Sequence, residues 1–187
     1  MTSRIVAGEH RAPATAKEGA VSLPTTVQDG YGLAPDEGEA LWLNGGLGLI
    51  KATGESTGGR FFAMELRVPK GFASPLHVHR DADEFFIVVA GDIRVQHGDD
   101  VYEAEAGSLV FGPRQVPHSF HVDSDDANVL LILSPSGMEG FFREVGSPAE
   151  ELAYPPAGFE LPDREVLMEI GARYQQDVVG PPLPPKG

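Results

Sequence analysis

Gly71-Phe-Ala-Ser-Pro-Leu-His77-Val-His79-Arg-Asp-Ala-Asp-Glu84-Phe-Phe-Ile-Val-Val-Ala-Gly91 is the stretch on which the reading of this chain turns. Two imidazoles flank a single residue, a carboxylate follows, and a glycine stands at each end. In an extended strand, alternate side chains share a face and lie about 6.7 Å apart, so His77 and His79 lean toward one point. The polar run Arg80-Asp81-Ala82-Asp83 reads as a turn. A following strand can then return Glu84 to the same point.

Further along, Gly107, Pro113 and His118 form a second frame, with Pro113 and Pro117 stiffening the approach of a third imidazole. Imidazole and carboxylate reach a metal ion at about 2.0–2.2 Å, so His77, His79, Glu84 and His118 are the candidate ligands of one divalent transition metal per chain. The three-nitrogen, one-oxygen set is borderline in softness and suits iron, nickel, cobalt, manganese, copper or zinc. Structural zinc sites are closed and usually thiolate-rich, whereas four protein ligands leave open positions on a five- or six-coordinate ion, which points to catalysis. A His-x-His pair alone is weak evidence, and the carboxylate, the glycines and the second frame are what raise it. His121, three residues beyond His118, falls on the opposite strand face. His97 at a hairpin tip reads as solvated, and His10 lies in the N-terminal region.

The chain has 187 residues with 23 Gly and 16 Pro, and short β-rich runs separate them. That pattern favours an all-β fold with many turns. Net charge is −14, from 28 acidic and 14 basic residues. The acidity argues against a nucleic-acid partner and against anionic membrane surfaces. There is no cysteine, hence no disulfide framework. No apolar run has the length of a signal peptide or a membrane span, so the expected compartment is the cytoplasm.

Three regions are expected. Residues 1–40 form an N-terminal arm, 41–135 a β-barrel, and 136–187 a C-terminal helical extension with a Pro-rich tail. Strands are predicted over 41–43, 46–52, 60–68, 76–79, 84–89, 93–96, 101–105, 109–111, 119–122 and 128–133, with a turn at 54–59. Helices are predicted over 139–144, from Ser147 as N-cap with Pro148 next, and over 163–176 with Val166, Leu167, Ile170 and Tyr174 as its apolar stripe. The prolines of 180–187 predict an extended surface segment. The arm and tail are too sparse in apolar residues to fold alone, and exchange of the arm with a second copy predicts a homodimer.

Period-two logic places Phe86 and Val88 inside the barrel with Glu84, and Phe120 and Val122 with His118. Leu109 and Phe111 are expected to line the same interior, and Phe62, Met64 and Leu66 form the better inward face of their strand. The candidate substrate pocket is therefore Phe62, Met64, Phe86, Phe111 and Phe120. An apolar cavity with one charged locus is the usual construction of a small-molecule site. It favours a flat apolar substrate carrying an oxygen donor. Glu84, besides ligating, can take a proton from a bound hydroxyl, which makes it the candidate catalytic base.

The two frames resemble the double signature of the cupin superfamily, which implies a double-stranded β-helix, a small jelly-roll-like barrel, here with C-terminal α-helices. The chain departs from that pattern at Gln115, where a glycine is preferred, and at Val122, where an asparagine is. Ser134-Pro-Ser-Gly-Met-Glu-Gly-Phe-Phe-Arg-Glu-Val-Gly-Ser-Pro-Ala-Glu-Glu151 is similar to the run that follows the barrel in single-domain (monocupin) enzymes of the quercetin 2,3-dioxygenase-like group. The resemblance covers about 40–152. It implies a metal held by His77, His79, Glu84 and His118, with Glu84 accepting the flavonol hydroxyl proton before dioxygen opens the ring and carbon monoxide leaves. Fold does not by itself fix function. Two other classes share the ligand set: a non-oxidative isomerase or cyclase of polyketide-like molecules, and a cupin that binds a small molecule without turnover.

Overall fold

The computed structural model describes residues 30–160 and 162–186, together with Leu23. The remainder of the N-terminal arm, including His10, lies outside the described residues. Two antiparallel sheets face each other. The seven-stranded sheet runs β11-β1-β2-β3-β10-β5-β8 and the five-stranded sheet β12-β4-β9-β6-β7. In sequence the strands are β1 (Glu39–Trp42), β2 (Leu47–Ala52), β3 (Phe62–Pro69), β4 (Leu76–His79), β5 (Asp83–Ala90), β6 (Asp92–His97), β7 (Asp100–Glu105), β8 (Leu109–Gly112), β9 (His118–Val122), β10 (Asp126–Ser134), β11 (Ser147–Pro148) and β12 (Gln176–Gly180). Three helices accompany them: α1 (Gly54–Thr57), α2 (Met138–Val145) and α3 (Arg164–Arg173).

Alternation drives this packing. On β5 every second residue from Glu84 to Val88 is buried, and on β10 Ala127, Val129, Leu131 and Leu133 are. These side chains meet Phe62, Met64 and Val68 of β3 and Ile93, Val95 and Phe120 across the interior. Removing one such side chain from water contributes about 1.5–3 kcal/mol.

The predicted turn over 54–59 contains a one-turn helix. Thr53 caps it by accepting from the Ser56 amide, while the Ser56 hydroxyl accepts from the Thr53 amide at 3.0 Å. The C-terminal region differs more from expectation. Ser147 does not start a helix. Gly146 leaves α2 in an extended conformation (φ −91°, ψ 177°), and Ser147–Pro148 pairs with the open edge of β1, opposite Trp42 and Leu41. Proline is tolerated there because an edge position needs no further donor. Helix α3 ends at Arg173 instead of continuing to Gln176, since Gln175 turns to φ 60°. Its packed residues are Leu167, Ile170 and Tyr174, while Val166 is exposed.

Gln176–Gly180 form β12, which sequence reading missed. It pairs antiparallel with β4, setting Gln176 opposite His79 and Val178 opposite His77. The β-branched pair Val178-Val179 was the available signal. The Pro-rich tail is not simply a surface segment either. Leu183 is buried, and the Arg94 guanidinium donates to the Pro184 carbonyl at 2.9 Å. The extension thus supplies strands to both sheets. No helix among the described residues is long and apolar enough to cross a membrane.

Candidate metal centre

Strand pairing brings the four candidate ligands together. His77 and His79 rise from the same face of β4, and His118 on β9 stands directly opposite His77. Glu84 arrives from the other sheet at the start of β5. All four are buried, and one ligand atom from each lies within 4.8 Å of the others. Donors about 2.1 Å from a common ion lie at most about 4.2 Å apart, so a contraction of a few tenths of an ångström suffices.

Hydrogen bonds orient the rings. His77 Nδ1 lies 2.8 Å from the Pro75 carbonyl and His118 Nδ1 lies 3.0 Å from that of Val116. A carbonyl only accepts, so both Nδ1 atoms carry the proton and direct Nε2 to the centre, the usual support of a metal-binding imidazole. His79 Nε2 sits 3.3 Å from Glu84 Oε2, and its Nδ1 is buried without a hydrogen-bond partner among the described residues. The donor set, its spacing and the two oriented rings fit a divalent transition ion.

Charge is tightly organised in the cluster. His118 also approaches Glu84 Oε2 through Nε2 at 2.8 Å. With both nitrogens facing acceptors, His118 favours the imidazolium form. Burial alone would depress its pKa, yet the Glu84 contact outweighs burial and raises it. Burial pushes the Glu84 carboxyl upward, but the His118 and His79 contacts overcome that and hold it well below the usual carboxylate range. His77 is lowered to about 3 by burial, reinforced by the neighbouring His118 and His79.

The cluster opens into a cavity of about 770 Å³. His77, His79 and Glu84 line its depth, and Phe72, Phe86, Phe120, Phe141 and Phe142 line its walls. Of the five expected pocket residues, Phe86 and Phe120 reach the cavity. Phe62 and Met64 are fully buried behind it, with Phe62 stacked on Phe142 at 5.6 Å. Phe111 is a correction. It is 46% exposed on the outer face and packs on Phe85, and Leu109 is exposed beside it. The register explains this: Glu84 pairs with Gly112 and Phe86 with Val110, so Val110 turns inward and its neighbours outward. Period two cannot be carried from His118 back across Pro117 and Pro113.

Sequence reading missed Phe72, Phe141, Phe142, Leu167, Met168 and Val178 of the wall. The Phe141-Phe142 pair was visible in the sequence, but its approach to the cavity depends on how α2 folds back. His121 lies away from the cluster, as expected of its strand face. Its Nδ1 contacts Asp123, which Arg94 grips through both carboxylate oxygens. His97 is a second correction. It is half-buried opposite His118 on β6, its Nε2 has no hydrogen-bond partner among the described residues, and burial lowers its pKa.

Residues 64–134 match the family described as "Cupin domain". The chain is 28% identical over 142 residues to quercetin 2,3-dioxygenase of Bacillus subtilis strain 168, covering 76% of this chain and 42% of that one. It is 38% identical over 53 residues to an uncharacterised protein of Streptomyces coelicolor, covering 28% of this chain and 50% of that one. The chain thus spans half or less of the length of these curated relatives. Among solved structures, KdgF from Halomonas sp. aligns with a TM-score of 0.52 at 19% identity, over 57% of this chain and 94% of that one. An RmlC-like cupin from Shewanella frigidimarina aligns with a TM-score of 0.52 at 18% identity, over 59% and 96%. These structural likenesses concern the fold.

Proposed function

We propose that this chain, an all-β protein with a cupin domain and similar to a bacterial quercetinase, is a metal-dependent dioxygenase of a flavonol-like or related enolisable aromatic molecule. The observation that carries the reading is the buried His77, His79, Glu84 and His118 cluster in the depth of an aromatic-walled cavity. A divalent transition ion held by those residues would supply Lewis acidity and a redox-capable contact for dioxygen.

The chain's own groups supply the rest. The Pro75 and Val116 carbonyls fix the tautomers of His77 and His118. Glu84, ionised at neutral pH, accepts the substrate hydroxyl proton on a carboxylate oxygen, so it serves as ligand and as catalytic base. Phe86, Phe120, Phe141 and Phe142 enclose a flat ring system and keep water from it. The volume suits a drug-sized aromatic molecule, since ligand pockets run to about 300–1,000 Å³. The ligand set accommodates nickel, iron, manganese, cobalt, copper or zinc, of which zinc would supply Lewis acidity alone. We place the active form in the cytoplasm, as a homodimer whose mass sedimentation tests directly.

The deciding experiment is elemental analysis of the purified protein followed by incubation with flavonols in air and under nitrogen. Oxygen uptake with release of carbon monoxide supports the reading. Turnover that ignores oxygen would move it to the isomerase or cyclase class, and tight binding without product to a binding protein. Glu84→Gln with metal still bound should lower turnover by about 10²–10⁴-fold. Unchanged turnover in that variant would remove Glu84 as the base.

A further inference from the structure

One cationic side chain of the cavity has no partner among the described residues. The first turns of α3 present Arg164, Leu167 and Met168 to the cavity, at the i, i+3, i+4 spacing of a single helix face. Met168 is 41% exposed and Val179 beside the cavity 53%, whereas His79 and Glu84 in the depth are 2% and 4%. Arg164, itself exposed, thus belongs to the open rim.

Every other described lysine or arginine except Arg60 sits in an ion pair. Arg164 makes neither an ion pair nor a hydrogen bond among the described residues, in a chain with twice as many acidic as basic residues. Among the described residues it is also the one cationic side chain on a wall that is otherwise apolar apart from the ligand cluster and a few neutral polar groups. A guanidinium beside apolar surface is weakly hydrated and keeps its charge, so it pairs well with a carboxylate, sulfonate or phenolate.

We propose that Arg164 is a specificity-determining residue: the cavity takes aromatic molecules whose reacting oxygen lies among the His77, His79 and Glu84 side chains and whose other end carries an anion held by Arg164. This rests on the cavity being the substrate site, but not on any particular reaction. A substrate without the anionic end loses the rim contact while keeping the aromatic ones.

The test uses two fluorescent probes that differ by one anionic group, anilinonaphthalene sulfonate and neutral N-phenylnaphthylamine, with the full-length protein. The wild type should bind the sulfonate more tightly. Arg164→Gln should weaken the sulfonate about five- to tenfold and leave the neutral probe within twofold, while Arg164→Lys recovers part of the loss. The preference should shrink with added salt. Met168→Trp, which narrows the rim, should weaken both probes. Equal losses for the two probes in Arg164→Gln, no change in either, failure of both to bind the wild type, or an Arg164 effect undiminished in the Met168→Trp background would each overturn the assignment. Neither probe is turned over, so failure here is distinct from failure of the dioxygenase reading, which the gas measurements decide.

Discussion

Acidifying the metal-free protein from pH 6.5 to pH 5 should lower its stability by about 2 kcal/mol, with His77 as the main cause. Its folded pKa, about 3, lies below the ordinary 6.5 because burial and two neighbouring imidazoles disfavour a charge there. Between those values the unfolded chain binds the proton and the folded chain does not. The stabilisation is therefore complete above pH 6.5 and is lost as pH falls toward 3, at about 1.4 kcal/mol per unit. The interval down to pH 5 isolates the effect. His118, raised by its Glu84 contact, opposes the effect by a few tenths of a kcal/mol, at most about 0.4, as the unfolded imidazole completes its protonation below pH 6.5, and Glu84, lowered, is ionised in the folded chain and largely so in the unfolded one. His97 adds in the same sense, since burial lowers it too. Urea titrations with a chelator present, at pH 6.5 and 5, measure the change. For a domain of this size it corresponds to a fall of about 4–8 °C in melting temperature. His77→Gln should remove most of the slope. Equal stability at the two pH values, or an equally steep loss in His77→Gln, would refute the reasoning.

Metal uptake should release about one proton below the raised pKa of His118, because its Nε2 must lose the proton it shares with Glu84, and affinity should fall about tenfold per pH unit there. Calorimetry in two buffers of different ionisation enthalpy counts that proton, and a count of zero would contradict the assigned imidazolium. Gly140→Ala places a methyl group against the Tyr174 ring, where α2 meets α3, and should cost about 1–3 kcal/mol in denaturant unfolding. An unchanged midpoint would mean that this contact has slack. Gln115 holds φ 67°, a left-handed conformation that costs a side-chain-bearing residue about 1–2 kcal/mol, so Gln115→Gly should be neutral or stabilising by up to about 1 kcal/mol. A clear loss would show that its side-chain contact to the Arg80 carbonyl, at 3.4 Å, matters more than the strain.

The Gln115 result bears on how the sequence is to be read. The cupin pattern prefers glycine there, and the structure shows why: the backbone amide must turn to the His79 carbonyl at 2.7 Å, with φ in the left-handed region. The departure left the ligands in place because a glutamine can adopt that conformation at modest cost. At Val122, the other departure, the side chain is simply buried in the core.

The sequence alone determined the sheet-forming runs from β1 to β10, the inward face of β4 and β5, and the four residues that converge. Those features depend on period two within one strand and on spacing between a few glycines, prolines and ligands, which are local. Tertiary structure decided where Phe111 points, because that is set by the register of β8 against β5. It also decided that Ser147–Pro148 and Gln176–Gly180 become strands, because an open sheet edge offers hydrogen-bond partners that no local propensity records. The cavity wall, Arg164 included, follows from how α2 and α3 fold back over the barrel mouth, which is a matter of long-range packing.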